Sequence, residues 1–115
     1  MKVYWLSKHK PLKSQLRELN RLFDSAEVVY DENPFDDIRK IVKRFTESGA
    51  VDMVAIVPLS VLVKLNEEGI KPLIPRMRRC TEQEAEIRKG GVFYRFVRFA
   101  RLKDIRVEVE DLCVR

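Results

Sequence analysis

Short apolar runs alternate with amphipathic segments along the first two thirds of the chain, and this order constrains the fold more than any other feature. Four apolar runs predict strands, at residues 3–6, 26–30, 51–57 and 70–74. Apolar residues three or four apart predict helices between them, at residues 11–23, 33–48 and 59–68. A β-α-β-α-β-α-β chain with short connections predicts an α/β, Rossmann-like three-layer fold with a mostly parallel sheet and right-handed crossovers.

The start of the second helix is predicted from its capping residues. Asn33 supplies a capping side chain and Pro34 suits the first helical position. Asp36 and Asp37 would then lie in the first turn, where carboxylates complement the helix dipole. The core-facing stripe of this helix is expected to contain Phe35, Ile38, Val42 and Phe45.

The strands differ in their predicted exposure. The nearly continuous apolar run 51–57 predicts a central strand covered on both faces. Pro72 and Pro75 each remove a hydrogen-bond donor, so the fourth strand is expected towards an edge. Two further strands are predicted at residues 92–99 and 105–109, and both are expected to add antiparallel to the sheet. The segment 76–91 fits either a short helix capped by Thr81 or a charged hairpin turning at Gly90-Gly91.

Composition limits the class of protein. The 115 residues are expected to form a single α/β domain, and their formal net charge of +5 favours anionic partners. Cys80 and Cys113 are too few for a disulfide-framed secreted domain. No signal peptide is recognised before the first strand, and the apolar stretch 53–63 is too short to span a bilayer. These features predict a cytoplasmic protein without a membrane partner. The abundance of charged residues is typical of thermophile surfaces.

Parallel sheets bind ligands outside the carboxyl ends of their strands, and this rule selects a basic rim. Helix N-termini point free N–H groups at the same rim and favour anions. The predicted ligand-binding residues there are Lys8, Lys10, Ser60, Arg76, Arg78 and Arg79, and the predicted catalytic residues are Ser7 and His9. The sequence predicts a small nucleotide or a nucleic acid as the partner.

The rim residues also have simpler interpretations. His9 could act as a general acid or base, but a lone histidine more often caps or packs over a helix. Ser7 lacks an Asp-oriented histidine base, so phosphate contact or capping is favoured over a nucleophilic role. The arginines at 76–79 could grip phosphate or form an ordinary salt-bridged loop.

Metal and cofactor sites are not predicted. Asp31, Glu32, Asp36 and Asp37 could hold Mg²⁺ through water, although helix capping explains the last two more simply. One histidine and two separated cysteines disfavour a structural zinc site. No Walker loop or dinucleotide fingerprint occurs, so no cofactor is expected.

The segment Tyr94-Arg95-Phe96-Val97-Arg98-Phe99 is similar to the aromatic half of the RNA-recognition signature. The expected lysine-glycine step is replaced by Val92-Phe93, and the order of elements differs from that fold. Because side chains alternate along a strand, Arg95 and Arg98 are expected on opposite faces. A buried core strand with arginine tips is therefore predicted.

The opening of the chain, Trp5 to Gln15, resembles the start of small α/β proteins of type III CRISPR systems, the ring-nuclease-like families. There a strand ends in a serine-x-histidine or serine-histidine-proline step before a helix. The turn at Pro58-Leu59 fits the same plan, and the resemblance covers about the first 65 residues. Similar openings occur in uncharacterised archaeal and mobile-element proteins. Lys8 separates Ser7 from His9, and the part from Arg76 onward has no counterpart.

This resemblance implies a homodimer that binds cyclic oligoadenylate between its subunits. A 2′-hydroxyl would attack the neighbouring phosphate without a metal ion. Ser7 would contact phosphate or the oxyanion, and His9 would be the acid or base.

Two functional hypotheses follow. The first is a nucleotide-binding α/β protein, with phosphodiester cleavage as its candidate activity. The second is a non-catalytic DNA- or RNA-binding module that uses the basic helix faces, with Lys13, Arg17, Arg21, Lys40, Lys43 and Arg44. A structural or partner-binding role is a third possibility, for which no specific surface is predicted.

Overall fold

The computed structural model describes residues 1–113, which form one mixed sheet with helices on both faces. The strands are β1 (Lys2–Leu6), β2 (Glu27–Asp31), β3 (Asp52–Ala55), β4 (Leu73–Arg79), β5 (Ile87–Lys89) and β6 (Val92–Arg101). The α-helices are α1 (Lys13–Phe23), α2 (Ile38–Ser48) and α3 (Leu59–Glu67), and Glu82–Glu84 forms a 3-10 turn. The predicted α/β fold class is confirmed.

The sheet order is β2-β1-β3-β4-β6-β5. The first four strands are parallel, whereas β6 pairs antiparallel with both β4 and β5. The three-layer arrangement follows from two cores on opposite faces of the sheet. Leu19 of α1 packs with Val3 and Trp5 on one face. Ile41 of α2 and Leu65 of α3 pack with alternate residues of β1 and β3 on the other.

An ion pair connects the C-terminal strand to the parallel part of the sheet. Arg101, at the end of β6, donates two hydrogen bonds to the carboxylate of Asp52 at the start of β3, with N–O distances of 2.7 and 2.6 Å. Its guanidinium also donates to the carbonyl of Lys71, at 2.9 Å. Bidentate pairing of this kind fixes orientation as well as distance.

The predicted start of α2 is wrong. The helix begins at Ile38, and the Asp37 carboxylate caps it by accepting the Arg39 N–H at 2.8 Å. Asn33 and Asp36 instead close a turn, with the Asp36 N–H donating to the Asn33 carbonyl at 3.2 Å. Phe35, predicted in the core stripe, is therefore 61% exposed. A hydrogen-bonded turn has taken the residues that the capping pattern assigned to the helix.

The fourth strand lies between β3 and β6, so its predicted edge position is wrong. It also runs to Arg79 and not merely to residue 74, because β6 pairs with it along its whole length. Its register with β3 is Val54 opposite Leu73. Pro75 lies beyond this point, where the missing donor costs no pairing with β3.

The segment 76–91 forms the predicted hairpin and not the predicted helix, since Thr81 makes no side-chain capping hydrogen bond and only Glu82–Glu84 form a 3-10 turn. It contains the end of β4, the 3-10 turn and β5, followed by a tight turn at Gly90-Gly91 into β6. Both glycines have positive φ, 57° and 76°, as the two central residues of a type I′ hairpin turn require.

The strand predicted at residues 105–109 is absent from the described chain, and Val107 and Val109 are 85% and 84% exposed. An alternating pattern alone does not form a strand without a neighbour to pair with. Among residues 1–113, no helix has the length and apolar character needed to cross a membrane.

Two leucines on α1 test the assignment of its buried face. Leu19 is fully buried, whereas Leu22 is 45% exposed. Replacement of Leu19 by Ala is expected to lower the free energy of unfolding by about 2–5 kcal/mol, since it leaves a cavity. Leu22→Ala is the control and should change it by only about 0.5 kcal/mol. Denaturant unfolding measures both; equal effects would contradict the described packing.

Candidate functional site

A groove opens beside the carboxyl ends of β1 and β3, the point at which the helices that follow the strands change from one face of the sheet to the other. The helix after β1 packs on one face, whereas the helix after β3 packs on the other. The carboxyl ends of β1 and β3 therefore form the topological switch point at which α/β sheets bind ligands. The groove measures about 820 Å³, and its lining residues are His9, Lys10, Leu12, Gln15, Ile56, Met77, Ile87, Arg88, Lys89 and Tyr94.

The groove combines cations with an apolar floor. Lys10 comes from the loop after β1, and Arg88 and Lys89 come from β5 on the opposite wall. The apolar contribution comes from Leu12, Ile56, Met77 and Ile87, with Tyr94 as an aromatic surface. Its volume falls within the range of about 300–1,000 Å³ typical of small-molecule sites. The arrangement suits a ligand that has both anionic and flat apolar parts.

Two hydrogen bonds fix the loop that carries His9. The buried Ser7 hydroxyl oxygen accepts the backbone N–H of His9 at 3.0 Å. The indole N–H of Trp5 donates to the His9 carbonyl at 2.7 Å. Both backbone polar groups of His9 are thus engaged, while the residue itself is exposed at the groove. Ser7 positions His9 through the backbone, in the local turn that serine favours.

The opposite wall is attached to α1 through Glu86. Its carboxylate accepts a hydrogen bond from the Ser14 hydroxyl and another from the Phe96 N–H, the latter at 2.9 Å. At the start of α1, the buried Gln15 accepts the Leu12 N–H at 2.8 Å. The two contacts of Glu86 hold the hairpin against the helix, whereas the Gln15 contact caps the start of α1.

The predicted site residues lie in different places. Of the predicted set, His9 and Lys10 line the groove. Lys8 turns away, with its ammonium 4.8 Å from the centroid of the Phe35 ring. Ser60 is exposed in the first turn of α3 and does not belong to the groove lining in the described chain.

The three predicted arginines divide between the faces of β4. Arg79 pairs with Tyr94 and shares its face, whereas Arg76 and Arg78 point to the opposite face. Prediction from the sequence missed Arg88, Lys89 and Tyr94. The Gly90-Gly91 hairpin signal could have found them, because it places residues 87–89 beside residues 92–94.

A second cavity, of about 470 Å³, surrounds the end of β2. There the buried Asp31 carboxylate accepts hydrogen bonds from the Tyr4 hydroxyl, from the Arg44 guanidinium at 3.0 Å and from the Asn33 N–H at 2.9 Å. Arg44 also binds Asp36 at 2.9 Å. Each polar group in this cluster has a partner, so we assign it to stability and not to ligand binding.

The cluster shifts two pKa values. Burial alone would raise the pKa of Asp31, but the hydrogen bonds from Tyr4, Asn33 and Arg44 together lower it. Burial and the hydrogen bond to Asp31 raise the pKa of Tyr4 to about 12. Asp31 is therefore held ionised and Tyr4 protonated, which is the state that their hydrogen bond requires.

Three of the four acidic residues considered for Mg²⁺ already have partners. Asp31 and Asp36 bind Arg44, and Asp37 caps α2. Within residues 1–113, no three His, Cys, Asp or Glu side chains form a group suited to a metal ion.

The basic helix faces are partly neutralised. Arg21 pairs with Glu18 on α1, and Lys43 lies 4.0 Å from Glu47 on α2. Arg44, predicted on the outer face of α2, is half-buried in the cluster with Asp31. These contacts leave fewer cations for nucleic acid on the helices than the sequence predicted.

No protein-family model, curated protein or solved structure matches the chain. The residues of the groove themselves therefore provide the basis for a function.

Asp31→Asn tests the structural role of the β2 cluster, with the exposed neighbour Glu32→Gln as its control. Loss of the buried charge should lower the free energy of unfolding by about 1–3 kcal/mol at neutral pH. The folded pKa of Asp31 is lowered. Its stabilisation is therefore present above about pH 4 and is lost as the pH falls through the folded value. Denaturant unfolding should show that the free energies of unfolding of the parent and of Asp31→Asn converge as the pH falls. A difference that stays constant with pH would contradict the assignment.

Proposed function

We propose that the chain binds an anionic nucleotide in the groove at the β1–β3 switch point. The observation that carries the proposal is the meeting of four basic side chains with an apolar and aromatic floor in one cavity. The basic residues are His9, Lys10, Arg88 and Lys89. Phosphate would contact Lys10, Arg88 and Lys89, and the base would lie on the surface that includes Tyr94 and Met77.

Cleavage of a phosphodiester is the proposed activity, with cyclic oligoadenylate as the substrate. The imidazole of His9 would take the proton of a ribose 2′-hydroxyl as its oxygen bonds to the adjacent phosphorus. The bond to the 5′-oxygen breaks, and that oxygen receives a proton, so a 2′,3′-cyclic phosphate and a 5′-hydroxyl result. Lys10 and Arg88 would offset the charge that develops on the phosphate oxygens. The proposed reaction uses no metal ion.

Two subunits would contribute to such a ligand. A cyclic oligoadenylate has repeated phosphates, and a symmetric homodimer would present a basic groove from each subunit. This part of the proposal rests on the resemblance of the chain's opening to ring-nuclease-like proteins.

Ligand binding is tested first by thermal shift against cyclic oligoadenylates, mononucleotides, single-stranded RNA and duplex DNA. A ligand at about a hundred times its dissociation constant should stabilise the protein by roughly 2.7 kcal/mol. Lys10→Glu is expected to abolish the shift because it reverses a groove charge. Lys64→Glu changes the net charge equally on the exposed surface of α3 and should preserve the shift. Equal effects of the two variants on the thermal shift would contradict ligand binding in the groove.

The proposed cleavage is tested with His9→Ala, which should lose turnover while it keeps ligand affinity. The measurements are product analysis by chromatography and binding by calorimetry, both in a chelator. Because the Ser7 and Trp5 contacts use only the His9 backbone, the loop should retain its position. Turnover by the variant at the parent rate would remove His9 from the reaction.

A further inference from the structure

Five arginines share the face of the β4–β6–β5 extension that lies opposite the groove. We call this surface the arginine face; its residues are Arg76 and Arg78 of β4, Arg95 and Arg98 of β6, and Arg88 of β5. In the sheet register, Arg76 is directly opposite Arg98, and Arg78 is directly opposite Arg95. Directly opposed side chains lie on the same face with Cβ atoms about 5 Å apart.

A β-bulge creates this alignment. The register passes from Arg76–Arg98 to Met77–Phe96, so that Val97 is an extra residue in β6. Simple alternation would put Arg95 and Arg98 on opposite faces, because three positions separate them. The extra residue shifts the alternation of side chains by one position, so Arg95 and Arg98 lie on the same face. The prediction that they lie on opposite faces is therefore wrong.

Within the described residues 1–113, no helix layer covers the arginine face. The core that contains α2 and α3 is built on β1 and β3, whereas Leu73 of β4 and Phe99 of β6 belong to the core under α1. Arg76, Arg78, Arg88 and Arg98 are accordingly exposed, and Arg95 is half-buried. The face is open to a large partner.

The arginines of this face form no ion pair within the described chain. Arg44 and Arg101 form ion pairs with aspartates. Within residues 1–113, by contrast, none of the five arginines forms a salt bridge. Like charges directly opposite each other destabilise a sheet. Two such pairs side by side indicate a surface selected for a polyanion and not for stability.

The residue types identify the class of polyanion. All five cations are arginine, which binds phosphate bidentately and stacks on bases, as lysine does not. The half-buried Phe93 adjoins Arg95 on the same face, and the guanidinium of Arg88 lies 5.5 Å from the Phe93 ring centroid. Sheet surfaces with aromatic and arginine planes take unpaired bases.

We propose that the arginine face binds single-stranded nucleic acid. The backbone phosphates lie along the paired arginines of β4 and β6, and a base stacks beside Phe93 and Arg88. Apart from Arg88, the side chains of the two sites point to opposite faces of the same strands, so this surface is distinct from the nucleotide groove. Arg88 stands at the boundary and lines both.

The test is fluorescence anisotropy of labelled RNA and DNA strands of about 12 nucleotides, within the usual site size. The variants are Arg78→Gln/Arg95→Gln and the matched control Arg17→Gln/Lys40→Gln, whose residues are exposed on α1 and α2. The first pair should weaken binding about tenfold at low salt. It should also make the slope of log affinity against log salt shallower by about 1.4. The control pair should change neither quantity.

Further measurements distinguish strand binding from a structural role and from non-specific binding of polyanions. Arg78→Gln/Arg95→Gln should be at least as thermally stable as the parent, since it removes a like-charge pair; a loss of stability would indicate a structural role and overturn the proposal. Equal weakening by the control pair, tighter binding of a duplex of equal length, or equal binding of poly-glutamate would also overturn it. Lys10→Glu should retain strand binding, so failure of the groove proposal would be distinguishable. Comparison of the RNA and DNA strands identifies the preferred sugar.

Discussion

The indole of Trp5 joins the parts of the molecule that form the candidate sites. It lies in the central strand β1 and is 1% exposed. Its ring packs edge-on against Phe99 of β6, with centroids 6.4 Å apart, while its N–H donates to the His9 carbonyl at 2.7 Å. A buried indole needs a partner for its N–H, and here that partner belongs to the loop of the groove. One side chain therefore couples the parallel sheet, the antiparallel extension and the position of His9.

The antiparallel extension gives the fold two surfaces of different chemistry. Because side chains alternate along each strand, Met77 and Tyr94 face the groove while Arg78 and Arg95 face the other side. The apolar face is closed against α1 through Glu86, which binds both Ser14 and the Phe96 N–H. The other face carries uncompensated charge. A single pairing of β4 with β6 thus builds both candidate sites.

Several features were predictable because they depend on local physics. The nearly continuous apolar run at residues 51–57 predicted a central strand, and β3 lies inside the sheet with both faces covered. The position of His9 and Lys10 beyond the carboxyl end of β1 followed from the same alternation of elements. The helix capping of residues 33–37 was predicted less well. There Asp31 satisfies its buried carboxylate with the Asn33 N–H, and the turn that results delays α2 to Ile38.

The sequence by itself determined the class of fold, the order of its parallel strands along the chain and the basic character of the rim. Only the tertiary structure decided which basic residues lie close together. The pairing of β4 with β6 carried Arg76 and Arg78 away from the groove, and the β5–β6 hairpin brought Arg88 and Lys89 into it. The bulge at Val97 then placed Arg95 and Arg98 on one face. Periodicity describes each strand alone, whereas register is fixed by the partner strand and one extra residue inverts the face of all that follow.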